Sequence, residues 1–366
     1  MNLQPTIKAQ KSSKILLLSG GVGGAKMAEG FAFSQYAEQF SIIGNVADDQ
    51  EFHGLWVSPD IDTLTYTLAD EIDKEKGWGL KGESNRVLDQ LKKLGSDTWM
   101  YLGDKDFATH IYRTEQRKQG VRPSEIASNI ARSLGVNTPI ILPTDDAIHN
   151  QVKTEDGWID FQDYFVKHGC KPELLGFNIT AIEDATATPE ALKAIAEADL
   201  IVIAPSNPIV SIHPILSVPG IRDALEKASA FKVAVSPLIN GKTVKGPADS
   251  MMKVAGYRSD VVGVADFYQG LIDGLVVDKQ DLSVLPELSQ RVEHVFPLDT
   301  LMFQRQEKIA LAEAIVGLYQ DAKATGYRAA GAQAQAQAAG VQESTLDLTS
   351  ATQADSSHKP KPEPVL

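Results

Sequence analysis

Lys14-Ile15-Leu16-Leu17-Leu18-Ser19-Gly20-Gly21-Val22-Gly23-Gly24-Ala25-Lys26 is the stretch that decides how the rest of the chain is read. An apolar run ends in four glycines within five positions, and a lysine follows. The pattern predicts a buried parallel strand that opens through a tight turn into a helix N-terminus. Free amides at that turn and the helix dipole favour an anion, so a phosphate fits. Glycine lets the main chain turn sharply and lets a ligand approach it closely. A nucleotide or phosphorylated substrate is therefore expected, the alternative being a turn that binds nothing. Two standard cofactor loops are absent. Ala25-Lys26-Met27 breaks the Walker A spacing, and Gly21-Val22-Gly23 meets Lys26 where the dinucleotide fingerprint requires glycine.

Outward from this loop, apolar runs recur at Phe40–Val46, Trp99–Leu102, Pro139–Leu142, Leu200–Ala204, Phe231–Val235 and Val261–Val264. Helical patterns alternate with them, as at Pro189–Ala198 and Ile221–Ala228. Buried runs separated by helices predict an α/β, Rossmann-like three-layer fold with a mostly parallel central sheet. Residues 63–135 are mostly helical in pattern, with Asn85–Leu94 and Ser124–Leu134 the clearest segments, and form an expected helical insertion. Residues 152–166 predict a hairpin turning at Asp156-Gly157. The expected organisation is a flexible N-terminus over 1–13, one Rossmann-like domain over 14–325 that carries the helical insertion, and a disordered Ala/Gln-rich and polar tail over 326–366.

Composition narrows the function. The 366 residues are 43% hydrophobic, enough for a substantial core, and carry a net charge of −13. That charge argues against a nonspecific nucleic-acid or anionic-membrane binder. The single cysteine, Cys170, excludes an internal disulfide framework and any cysteine-rich zinc site. No apolar run approaches a membrane span, and Met1 to Ser13 lack the apolar core of a secretory signal. A cytoplasmic protein is expected.

A second informative stretch follows Phe40–Val46. Asp48, Asp49, Glu51, Asp60 and Asp62 place five carboxylates within fifteen residues. In open α/β sheets ligands sit beyond the carboxyl ends of the strands. Phosphate at one such loop and carboxylates at the next predict a divalent cation between them, because Mg²⁺ uses one or two carboxylates and completes its shell with water and phosphate oxygens. The competing role for these residues is capping, with Asp60 or Asp62 capping a helix that begins near Thr63. Pro205-Ser206-Asn207-Pro208, at another strand end, makes a stiff polar loop fitted to a base or phosphate. His110 and Arg113 lie three residues apart on an expected helix, where a lone histidine is more often structural.

Together these stretches resemble the 2-phospho-L-lactate transferase family of coenzyme F420 biosynthesis. The matching residues are the Gly20–Lys26 loop, Asp48-Asp49, Ser58-Pro59-Asp60-Ile61-Asp62-Thr63, Gly77-Trp78-Gly79 and Gly103-Asp104-Lys105-Asp106 with Ala108-Thr109-His110. Pro143-Thr144-Asp145-Asp146, Phe161–Phe165, Pro205–Ile212 with Val218–Arg222, and Ser236-Pro237 with Lys245–Asp249 continue the match in family order over about residues 14–322.

The resemblance implies a reaction between the deazaflavin alcohol Fo and a GDP-linked three-carbon acid: phospholactyl, enolpyruvyl phosphate or phosphoglyceryl. The terminal ribityl hydroxyl of Fo attacks the phosphorus bearing the acid, GMP leaves and an F420-0 species forms, with Mg²⁺ required. By position, Asp48 and Asp62 are the implied catalytic and metal residues. Asp62 and Tyr101 face Fo, and Tyr101 stands where some members carry lysine. Gly21, Val22, Gly23, Gly24 and Lys26 are implied for the diphosphate, and Ser206 and Asn207 for the guanosine nucleotide. A homodimer is also implied. The alternative is a regulatory protein of the same superfamily that binds a nucleotide-sugar without catalysis; that branch would lack the Ser58–Thr63 segment.

Overall fold

β1 (Ile15–Ser19) is buried along its whole length, as a strand covered by helices on both faces must be. The structure, a computed structural model, describes residues 13–243 and 246–326. Apart from Ser13 and Gly326, the expected N-terminal segment and the expected tail lie outside those residues, as does Lys245.

Beyond β1 the chain forms α1 (Gly21–Ala32), β2 (Phe40–Gly44), the short pair β3 (Gln50–Phe52) and β4 (Leu55–Val57), then α2 (Pro59–Leu68), α3 (Arg86–Lys93), α4 (Asp104–Lys118) and α5 (Pro123–Ser133). After β5 (Ile140–Ile141) come β6 (His149–Thr154), β7 (Gly157–Asp160) and β8 (Gly176–Thr180), then α6 (Pro189–Glu197) and β9 (Leu200–Ile203). The last part holds α7 (His213–Ser217), α8 (Ile221–Lys227), β10 (Phe231–Val235), the two-residue strands β11 (Leu238–Ile239) and β12 (Lys242–Thr243), and α9 (Ala248–Val254). It closes with α10 (Val261–Phe267), β13 (Gly274–Asp278), α11 (Leu285–Leu288), β14 (His294–Leu298) and α12 (Arg305–Ala324).

Seven strands make one sheet in the order β14-β13-β10-β9-β1-β2-β5, and every neighbouring pair is parallel. Helices flank this sheet, giving the expected three-layer α/β fold. Antiparallel β7-β6-β8 forms a small separate sheet, and its β6–β7 turn at Asp156-Gly157 is the expected one, with Gly157 at φ +109°. The hairpin stops at Asp160, however. Residues expected to continue it coil into a π-helical turn, Asp163–Lys167, which stacks Phe165 on Phe161 at 5.6 Å.

Three further expectations are corrected. Val261–Val264 is helical, because the Asp260 carboxylate accepts from the Val262 and Gly263 amides at 3.0 Å each and caps α10. The strand assigned there is supplied instead by β13 and β14. Trp99–Leu102 is irregular, held by side chains: Trp99 packs edge-on against Phe52 at 5.3 Å. α2 begins at Pro59, so Asp60 and Asp62 lie in its first turn and do not cap it.

The C-terminal helix is locked to the first one. Glu29 of α1 is 5% exposed and receives Arg305 Nε at 2.8 Å and Lys308 Nζ at 2.5 Å, both from α12. Burial pushes the Glu29 carboxyl up, but the two cations outweigh it and hold it below the usual range. Among the described residues, no helix is long and apolar enough to cross a membrane.

Candidate active site

From β1 the chain proceeds to β2 and β5 on one side, and later returns to β9, β10, β13 and β14 on the other. The order therefore reverses between β1 and β9. At such a switch point the loops leaving adjacent strands diverge and open a crevice beyond the strand ends. The Gly20–Lys26 loop leaves β1 there, and Pro205-Ser206-Asn207 leaves β9 beside it.

Those two loops are built as one surface. Ser206, 3% exposed, donates its hydroxyl to the Gly20 carbonyl at 2.7 Å and accepts from the Gly20 amide at 3.2 Å. A Cβ on Gly23 would strike the Pro205 carbonyl, and one on Gly24 would strike the hydroxyls of Ser19 and Ser206. Gly21, the first residue of α1, sits at φ +62°. The glycines thus serve the close approach of two loops as well as the exposure of helix amides. Asn207 accepts from the Ile209 amide at 2.9 Å.

A cavity of about 540 Å³ opens over this surface. Gly21, Val22, Gly23, Lys26, Asp48, Asp62, Tyr101, Ser206 and Asn207 all line it. Gly24 does not: it is buried beneath, as a packing position. Trp78 meets Tyr101 edge to face at 5.5 Å, and Lys76 Nζ stands 5.0 Å from the Tyr101 ring centre. Trp99 and Phe161 also line the cavity, so aromatic rings and the glycine loop share it.

Buried carboxylates line the same cavity. Asp48 accepts from Asn150 Nδ2 at 2.7 Å, and Asp60 from Asn45 Nδ2 at 2.9 Å. Burial, then the nearby Asp60 charge, pushes the Asp48 carboxyl well up. Burial raises Asp60 to about 6. Asp106, also on the cavity wall, is raised to about 7 by burial and by Asp62. Asp49 reaches about 7 through burial, although Ser58 Oγ at 2.7 Å and Trp56 Nε1 at 3.1 Å donate to it.

Asp62 differs from the others. Both of its oxygens are taken by Arg113: Nη1 donates to Oδ2 at 3.1 Å, and Nη2 to Oδ1. The same Nη1 lies 3.1 Å from His110 Nδ1, and burial lowers the histidine to about 4. Because arginine only donates, Nδ1 must accept, and the neutral ring carries its proton on Nε2. His110 thus orients Arg113 as a neutral acceptor.

The donor set fits a hard cation. Asp48 and Asp60 are hard oxygen donors whose mutual repulsion and burial a positive charge would relieve, and they stand beside a loop that presents amides to phosphate. No cluster of three or more His, Cys, Asp or Glu side chains suited to a metal occurs among the described residues. Sequence reading counted Asp60 in the carboxylate cluster and, like Asp62, as a possible cap of a helix beginning near Thr63, but assigned the metal to Asp48 and Asp62. It did not find Asn45 and Asn150: each follows or lies within a strand, and only the fold brings their amides to the carboxylates.

A family model described as 2-phospho-L-lactate transferase CofD matches residues 15–315. The chain is 36% identical over 309 residues to 2-phospho-L-lactate transferase of Methanosarcina barkeri, covering 83% of this chain and 98% of the relative. It is 36% identical over 310 residues to that of Methanococcus maripaludis, covering 84% and 99%. With that of Methanocaldococcus jannaschii it shares 35% over 306 residues, covering 82% and 97%. A crystal structure of a UPF0052 family member from Bacillus halodurans superposes with a TM-score of 0.54 at 18% identity, covering 84% of this chain and 99% of that one. At that identity the likeness is one of fold.

Proposed function

The chain belongs to the 2-phospho-L-lactate transferase CofD family, and from that premise we propose that it transfers a phospho-three-carbon-acid group from a GDP-linked donor to the terminal ribityl hydroxyl of Fo. The products are an F420-0 species and GMP. The observation that carries this reading is the meeting, in one cavity, of the β1 glycine loop with the buried carboxylates Asp48 and Asp60. An amide-lined helix start suits a diphosphate, and paired carboxylates suit its counter-ion.

In this reading the hydroxyl oxygen bonds to the phosphorus that bears the acid, the bond from that phosphorus to the GMP phosphate oxygen breaks so that GMP leaves with the oxygen, and the hydroxyl proton passes to water. Phosphoryl transfer of this kind depends on positioning and charge stabilisation. The loop amides of Val22 and Gly23 and the Lys26 ammonium hold the diphosphate, while the Gly21 amide is given to Asp60. Mg²⁺, when bound, would neutralise charge on the diphosphate. Asp48 would hold that cation. The Arg113 fork occupies both oxygens of Asp62, which favours Asp60 over Asp62 as the second metal carboxylate.

Asp62, fixed in direction by Arg113, then accepts a hydrogen bond from the attacking hydroxyl and orients it. The Trp78–Tyr101 wall faces the deazaflavin ring, an aromatic surface for an aromatic substrate. Asn207, at the far loop, serves the guanosine side, while Ser206 acts through the Gly20 backbone. We further infer a cytoplasmic homodimer, which sedimentation of the purified chain tests.

The reaction is tested by incubating purified protein with Mg²⁺, Fo and each GDP-linked donor in turn, and following products by mass spectrometry. GMP and a phosphodiester of Fo are expected from at least one donor. No phosphodiester from the lactyl, enolpyruvyl or glyceryl compound overturns the reading.

A further inference from the structure

Asn45 and Asn150 meet at one carbonyl. Asn45 Nδ2 donates to Asp60 Oδ2 at 2.9 Å and to the Val210 carbonyl at 3.3 Å. Asn150 Nδ2 donates to Asp48 Oδ1 at 2.7 Å and to the same Val210 carbonyl at 2.7 Å. A carboxamide nitrogen has two hydrogens and a carbonyl oxygen two lone pairs, so both side-chain nitrogens and the Val210 carbonyl are fully used.

The carbonyl is available for a local reason. Val210 lies in the π-helical turn Pro208–Ile212, and its partner four residues on along a regular helix would be Pro214, which has no N–H. Asn45 is aimed by its own backbone contact, its Oδ1 accepting from the Ala47 amide at 3.0 Å. The Asn150 amide donates to the Ala47 carbonyl at 2.7 Å. All four side chains are buried, the asparagines at 1% and 4% exposure.

We propose that Asn45 and Asn150 are positioning residues that hang Asp60 and Asp48 from the Val210 carbonyl and hold them as one preassembled cation seat. The inference rests on the reading of Asp48 and Asp60 as metal carboxylates. The two carboxylates repel each other, and burial makes the repulsion stronger. Left to themselves they would separate or take up protons. Two neutral amides, each spending one hydrogen on its carboxylate and the other on a shared anchor, fix the spacing without neutralising the charge a cation needs. Ligand-orienting groups of this kind typically govern metal affinity by about 10- to 100-fold.

The test is Mn²⁺ binding to the full chain, read from the electron paramagnetic resonance signal of free Mn²⁺, for wild type, Asn45→Ala, Asn150→Ala, the double variant and Asp48→Asn. Each asparagine variant is expected to weaken Mn²⁺ by about 10-fold or more. The double variant should fall short of the product of the singles, because both amides act through one carbonyl. In turnover, the Mg²⁺ concentration for half-maximal rate should rise while the rate at saturating Mg²⁺ changes much less. If an alanine variant does not fold, the serine variants Asn45→Ser and Asn150→Ser are read by the same criteria. Mn²⁺ affinity within twofold of wild type in both single variants, with Asp48→Asn abolishing binding, overturns the positioning role and leaves the metal carboxylates standing. No Mn²⁺ binding by wild type overturns both.

Discussion

Arg113 grips Asp62 through both terminal nitrogens inside the protein, where the two side chains are 5% and 7% exposed. Burial opposes the guanidinium charge, but Asp62 outweighs it and holds Arg113 above its ordinary value. Removing one member leaves the other buried and unpaired, which typically costs about 3–5 kcal/mol. Arg113→Met should therefore lose about that much stability in urea unfolding. Adding Asp62→Asn should restore part of it, since the uncompensated charge is then gone. Strict additivity of the two substitutions would sink the pairing as the origin of the loss.

Asp62→Asn leaves Arg113 buried without its counter-charge, so its rate is read per folded enzyme. The amide keeps the shape but replaces one acceptor with a donor toward both Arg113 and the attacking hydroxyl. We expect kcat to fall by at least about 100-fold, on the scale of a lost general acid–base or orienting contact, with Fo binding measured by fluorescence changed far less. An unchanged kcat would remove Asp62 from the reaction.

The glycine loop separates into positions with different penalties. Gly23→Ala drives a methyl into the Pro205 backbone carbonyl, which cannot swing away. Gly24→Ala meets two hydroxyls, one of which already clamps Gly20. Gly23→Ala should cost roughly 1–3 kcal/mol of stability, as overpacking does, and should also weaken GDP binding by parting the two loops. Ser206→Ala should weaken GDP binding without any steric clash, because the Gly20 backbone loses both of its contacts to that hydroxyl. Unaltered GDP affinity in Ser206→Ala would mean that the clamp does not shape the phosphate surface.

Glu29 offers a contrast remote from the cavity. Its contacts to Arg305 and Lys308 join α1 to α12 across 276 and 279 residues. Glu29→Ala leaves two cations without their shared partner and should lower unfolding free energy by about 2–4 kcal/mol. The kcat of the folded fraction should hold within twofold. A large kcat loss at full folding would instead tie α12 to the chemistry.

How much of this was legible depends on range. The β1 loop announces itself because strand, turn and helix start are contiguous, and local chemistry dictates each. α10 did not, because the β-branched Val261–Val264 composition favours a strand, while the Asp260 cap decides the outcome through geometry. The Asp48 neighbourhood was visible as an acidic cluster, yet which carboxylates are already neutralised was not. Arg113 reaches Asp62 across 51 residues and Asn150 reaches Asp48 across 102. Spacing along a chain carries no trace of such pairings until the fold closes them, so Asp62 and Asp60 looked alike in sequence and differ entirely in the structure.

That difference fixes how stability should respond to pH. Burial raises Asp49 and Asp106 to about 7 and Asp60 to about 6, and Asp48 moves in the same direction. A carboxyl with a raised folded value keeps its proton in the folded state after the unfolded chain has released it. Its contribution is present below about pH 4 and is lost as pH rises through the folded value. Without divalent cation, the unfolding free energy should therefore fall from pH 5 to pH 8, by on the order of a few kcal/mol at about 1.4 kcal/mol per unit, and the melting temperature should fall with it. Glu29, lowered by its cations, acts only on the acid side, and His110, lowered to about 4, offsets part of the fall up to about pH 6.5. Mg²⁺ should recover at pH 8 the share owed to Asp48 and Asp60 and should do less at pH 5, where protons compete for the same oxygens. Calorimetry of the full chain at both pH values, with and without Mg²⁺, reads this directly. Stability that climbs from pH 5 to pH 8 in the absence of Mg²⁺ would contradict the buried carboxylates as its determinant.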